Sequence, residues 1–89
     1  MYYLGDKLST IKGETAVKIL VTERIKELMK EYGLNQVKLA ARIGVKQNTV
    51  SSWVNGIKEP SIRSLWLLAD FFEVSVDYLI GRTENDLTY

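Results

Sequence analysis

Eighty-nine residues, 46% apolar and 26% charged with a net charge of +1, make one domain with material for a single core. The chain has no cysteine and no histidine, which removes disulfides, thiol nucleophiles, the usual zinc sites and imidazole acid–base chemistry together. No apolar run approaches the ~18–20 residues that span a bilayer, and Met1-Tyr2-Tyr3-Leu4-Gly5-Asp6 lacks the regions of a signal peptide, so the chain reads as cytoplasmic.

Residues 1–21 form an opening segment with two readings. Lys7 to Lys12, Gly13-Glu14 and Thr15 to Val21 suit a β-hairpin, with Val17, Ile19 and Val21 alternating on one face. Alternatively Val17, Leu20, Val21 and Ile25 form a stripe that extends the first helix backwards. The β-branched run favours the extended form.

From Thr22 onwards the pattern is helical. Thr22 can cap a first helix, with Glu23 in the first turn where the helix dipole favours an acid. Ile25, Leu28, Met29 and Tyr32 recur at i, i+3, i+4 and i+7, and Gly33 ends the helix. Asn35 caps a second helix that buries Leu39, Ala40 and Ile43 before Gly44. A third runs from Gln47 to Val54 with Val50 and Trp53 inward, and Asn55-Gly56 breaks it. Ser61, after Pro60, caps a fourth helix with Leu65, Leu68, Ala69 and Phe72 on its inner stripe. The last starts at Ser75, uses Val76, Leu79 and Ile80, and stops at Gly81. The expected class is all-α, five short helices around one core.

Residues 35–53 carry the function. Two short helices flank a turn holding Gly44, the helix-turn-helix layout, with Ala40 small at the crossing and Val45 plugging the core. Gln47, Asn48, Ser51 and Ser52 are left without packing duty. Gln and Asn can each form two hydrogen bonds with an adenine edge, and Ser can bond several edges. Asn35 and Gln36, opening the preceding helix, can offer donors to a phosphate. Charge follows the same division. Residues 35–60 hold Lys38, Arg42, Lys46 and Lys58 against Glu59, a balance of +3, whereas the tail after Arg82 has a balance of −2.

Residues 22–82 resemble the Cro/cI-type (XRE) helix-turn-helix family of bacterial and phage repressors. The likeness rests on Arg24 to Leu28, Leu34-Asn35-Gln36, Leu39-Ala40, Ile43-Gly44-Val45, Thr49 to Trp53, Asn55-Gly56, Pro60-Ser61, Leu65 and the run Leu68 to Arg82. The resemblance implies a lambda-repressor-like five-helix domain over 22–82, an N-terminal extension over 1–21 and a short acidic tail over 83–89. It implies that the helix 47–54 enters the major groove of double-stranded DNA. Lys46, Gln47, Asn48 and Ser52 then face base edges, with Thr49 and Ser51 nearby. Asn35, Gln36 and Asn55 match phosphate-clamping positions, and Lys58 lies where the family places basic phosphate contacts. Lys38 pairs at i, i+4 with Arg42, and that face reads equally as solvated charge or as phosphate contact. Two features depart from the family: Val54 stands where Glu is usual, and residues 1–21 have no counterpart.

Trp53 and Trp66 could stack on bases, but their helical spacing assigns both to the core. Leu67, Phe71 and Tyr78 exceed what one face can bury, and with Tyr2, Tyr3 and Ile11 could form a partner surface unless residues 1–21 cover it. The expectation is a sequence-specific transcriptional regulator of the phage or prophage repressor type, acting as a homodimer on an inverted repeat. The alternative is an antitoxin-like or partner-docking protein, contacting its partner through residues 1–21 or the fourth and fifth helices. Scattered carboxylates and the lack of a nucleotide-binding glycine pattern give catalysis no support, and no metal or cofactor is expected.

Overall fold

The computed structural model describes residues 19–84, which fold into α1 (Val21–Tyr32), α2 (Gln36–Ile43), α3 (Gln47–Val54), α4 (Ile62–Phe72) and α5 (Val76–Ile80). This is the expected all-α, five-helix architecture. The choice between hairpin and helical extension concerns residues 1–21, of which 1–18, with Tyr2, Tyr3 and Ile11, lie outside the described residues; Val21 itself is helical, while Ile19 and Leu20 precede the helix.

Local chemistry sets most helix ends. Asn35, Ser61 and Ser75 each accept a hydrogen bond from the amide three residues on, at 2.8, 3.1 and 2.9 Å. Such caps satisfy one of the donors a helix start leaves open. α1 differs. It begins at Val21 behind Leu20, with no side-chain cap. Thr22, expected as that cap, lies inside the first turn and donates its hydroxyl to the Trp53 carbonyl at 2.9 Å. A tertiary acceptor has won the hydroxyl over the local amide.

Ile25, Leu39, Val50, Leu68, Phe72 and Leu79 are fully buried at the centre, so every helix contributes to one core. Tyr32, half exposed, caps it at the α1–α4 end. Its ring meets Phe72 edge-on at 5.0 Å and its hydroxyl donates to the Phe72 carbonyl at 3.1 Å. Leu67, Phe71 and Tyr78, expected to be in surplus, pack half-buried against the core.

Trp66 corrects the expectation of a core role: it is 71% exposed. It follows Leu65 by one residue, about 100° around the helix, which turns it away from the buried stripe. Val76, expected inside α5, is likewise exposed.

The two ends of the described chain close on each other. The Leu20 amide donates to the Ile80 carbonyl at 3.1 Å. Arg24 lies buried between them, its guanidinium 4.2 Å over the Tyr78 ring and 3.6 Å from the Glu84 carboxylate. Burial acts to lower its pKa, but Tyr78, Glu84 and Glu27 outweigh burial and hold it above the usual arginine value. Gly81, at φ +96°, ends α5 against Leu20, and a Cβ built there would stand 2.8 Å from Leu20 Cγ. Gly81→Ala therefore meets backbone strain and a clash together. A loss of about 1–3 kcal/mol is expected, read as a fall of the thermal midpoint by roughly 4–8 °C per kcal/mol.

Candidate nucleic-acid interface

The turn between α2 and α3 is built by two backbone bonds to one carbonyl. The Gly44 and Val45 amides donate to Ala40 at 2.9 and 3.0 Å, with Gly44 left-handed at φ 78°. An L side chain at that φ is strained, which is why glycine stands there. Val45 then tucks half-buried against the core, and α3 starts two residues later.

α3 is held from both sides. Val50 and Trp53 enter the core, with Trp53 only 2% exposed. Thr22 of α1 binds its last turn through the Trp53 carbonyl. The following loop folds back on it, the Ile57 and Lys58 amides donating to the Ser52 carbonyl at 2.9 and 3.2 Å. This fixes Lys58 beside the helix. The result is a short helix whose outer face is presented rigidly.

On that face Lys46, Gln47 and Asn48 are exposed. Lys46 occupies the position before α3 without a side-chain cap, and no acidic residue lies in the first turn. Gln47 Nε2 donates to Gln36 Oε1 at 2.8 Å, linking the starts of α3 and α2. The bond orients both amides and leaves the Gln36 NH2 as an open donor.

Thr49, Ser51 and Ser52 are half-buried instead. The Ser52 hydroxyl donates to the Thr49 carbonyl at 2.8 Å, and Ser51 Oγ accepts from Asn55 Nδ2 at 3.1 Å. Both hydroxyls are engaged within their own helix. Asn48, Thr49 and Ser52 line a groove together with Lys58, Glu59, Ser61 and Ser64. The Asn35 side-chain oxygen is committed to capping α2, which leaves its NH2 for an outside acceptor. Lys38 and Arg42 stand exposed on α2.

A second groove brings in residues that the sequence reading passed over. Lys26 and Lys30 of α1 line it with Gln36 and Asn55. These two lysines are an exposed i, i+4 pair, which is the only local feature in the sequence that sets them apart. Their inclusion surrounds the predicted phosphate-clamping positions with cations. Met29 and Val54 line the same groove, so the valine that replaces the usual glutamate makes apolar contact there.

Comparison with known proteins agrees with this geometry. A family profile described as helix-turn-helix matches residues 25–79. The chain belongs to that family, the XRE-type helix-turn-helix proteins. The curated relatives it matches are named as transcriptional regulators. The chain is 32% identical over 63 residues to the HTH-type transcriptional regulator YobD of Bacillus subtilis, across 71% of this chain and 56% of that one. The chain thus spans about half the length of the curated relatives it matches. Among solved structures, SinR in complex with DNA superposes with a TM-score of 0.62 at 33% identity, over 66% of this chain and 95% of the chain in that complex. The DNA-binding domain of the phage P22 C2 repressor superposes at 0.65 with 26% identity, over 84% of this chain and 100% of that one. The lambda-repressor-like fold is thereby established for this family member. Among the described residues no helix is long and apolar enough to cross a membrane.

Proposed function

We propose that this chain is a sequence-specific DNA-binding transcriptional regulator of the phage or prophage repressor type, working on nucleoid DNA in the bacterial cytoplasm. One observation carries the reading. Exposed Lys46, Gln47 and Asn48 sit at the start of a buried-anchored helix, with Gln47 bonded to Gln36 at the start of its neighbour. This is a base-reading edge coupled to a phosphate-clamping one. The solved complex of SinR with DNA supports it by likeness.

In this reading α3 lies in the major groove. Lys46, Gln47 and Asn48 contact base edges, and Thr49, Ser51 and Ser52 shape the groove-facing flank. Gln36, Asn35, Lys38, Asn55 and Lys58 hold phosphates, joined by Lys26 and Lys30. A single domain of this size buries too little surface to be both tight and selective. The functional unit is therefore a homodimer on an inverted repeat with half-sites about 34 Å apart.

Selection of bound fragments from random duplex DNA, at about 100 mM salt where non-specific contacts are partly screened, tests the proposal. An enriched inverted repeat is the expected result. No enrichment would favour the antitoxin-like, partner-docking alternative, which draws on the exposed apolar face of α4. Lys58→Ala is expected to weaken binding evenly across sequences and to reduce the slope of log K against log salt by about 1. Titrations at several salt concentrations read this directly.

A further inference from the structure

The face of α4 opposite the core has no use in the DNA-reading site. Ile62 and Trp66 are 86% and 71% exposed there. Beyond Trp66, a shallow hollow is lined by Ala69, Asp70 and Val76 among others. Arg63 and Asp70 flank Trp66 along this face, and neither side chain makes an ion pair among the described residues. A large aromatic on a regular helix, between an unpaired base and an unpaired acid, is an arrangement that solubility alone does not need.

Its spacing is self-complementary. Arg63 precedes Trp66 by three residues and Asp70 follows it by four, which is ~4.5 and ~6 Å along the helix. Seven residues apart, the two charges lie on one lateral edge of the face, within about 20° of each other. Ile62 and Ala69, also seven apart, lie on the other edge. A second α4 laid antiparallel about a two-fold axis at Trp66 puts each Arg63 opposite Asp70 of the other copy. The same operation puts each Ile62 against the hollow beside Ala69 and Val76. A closed two-fold contact requires this reciprocity: what residue i finds at j, j finds at i.

We propose that this face of α4 is where two copies of the chain pair, with Trp66 stacked on its symmetry mate and two Arg63–Asp70 ion pairs at the edges. The proposal rests on the DNA-reading function above and supplies its dimer surface. Ser61 and Ser64, at the start of α4, share a groove with Asn48 and Ser52 of the reading helix. Ser64 lies about 160° around α4 from Trp66, so the pairing face leaves that groove and the reading helix free for DNA. The apolar face is a single helix wide, below a standard interface, so pairing is weak in free solution and strengthened by a two-half-site duplex.

Charge reversal tests it on the full chain. Sedimentation equilibrium from about 1 µM to about 1 mM covers the range expected of a small interface, and the parent is expected to shift from monomer to dimer within it. Arg63→Asp alone and Asp70→Arg alone each place like charges across the axis and lower the association constant by about tenfold or more. The two variants mixed form a heterodimer with both ion pairs restored, at close to parent strength. Circular dichroism checks that these surface changes leave the fold intact. The proposal is overturned if the parent stays monomeric throughout, if the single variants pair as well as the parent, or if mixing restores nothing. A monomer whose Trp66 is shielded from acrylamide quenching overturns it too, and identifies a terminal segment of the same chain as the cover. A duplex carrying one half-site, titrated alongside, is expected to bind parent and variants equally. That readout isolates the reading helix, so loss of pairing with half-site binding intact counts against the α4 surface alone.

Discussion

Trp53→Ala is expected to destabilise the domain by about 3–5 kcal/mol, the cost of truncating a fully buried aromatic. Trp53 sits 2% exposed in the core, while its own helix carries the proposed base-reading edge. A folded domain of this size has only about 5–15 kcal/mol in all, so at roughly 4–8 °C per kcal/mol the thermal midpoint should fall by roughly 12–40 °C. DNA binding should fall with it, because α3 loses the contact that fixes its rotation. Trp53→Phe keeps most of the packing and should lose far less. A melting curve and a DNA titration on each variant check both statements. A Trp53→Ala protein that melts like the parent would place the anchoring of α3 elsewhere.

The second large effect falls on recognition. Gln47→Ala is expected to cost about 1–3 kcal/mol of specific affinity and to relax the preferred base at one position in each half-site. Stability should hardly change, since Gln47 is exposed and its hydrogen-bond partner is another surface amide, Gln36. Because Gln47 donates to Gln36, the two residues should not act independently. Removing either frees the other to rotate, so the double variant should lose less than the two single losses together. A binding cycle over the four proteins measures that coupling. Unchanged affinity and unchanged sequence preference in Gln47→Ala would refute the base-reading assignment.

How much of this was legible in the sequence depends on how local each cause is. Asn35, Ser61 and Ser75 cap their helices as read, because a cap bonds an amide three residues away. The α2–α3 turn was equally legible, since Gly44 answers to its own φ. Thr22 was misread because a threonine beside a helix start looks the same whether it caps locally or reaches across 31 residues to Trp53. Helical spacing does not in fact assign Trp66 to the core, because its offset of one residue from Leu65 turns it outward. In the site, exposed Gln47 and Asn48 follow from what the core claims, whereas Ser51 and Ser52, left over by the same argument, are half-buried and Lys46 enters only through the family resemblance. The Gln36–Gln47 bond does not follow, because it spans a turn and depends on how two helices meet. Lys26 and Lys30 escaped notice for the same reason. They lie on α1, and only folding sets α1 beside Gln36 and Asn55.

The hydrogen bond from Leu20 to Ile80 brings the entry and exit of the folded unit to one point. A single short linker could therefore join them, and the chain could be reopened in the exposed stretch around Glu59 without breaking a helix. Such a circularly permuted protein would carry its new ends beside Lys58. Anything fused there would ride at the edge of the reading helix, where a reporter could sense whether the groove is filled.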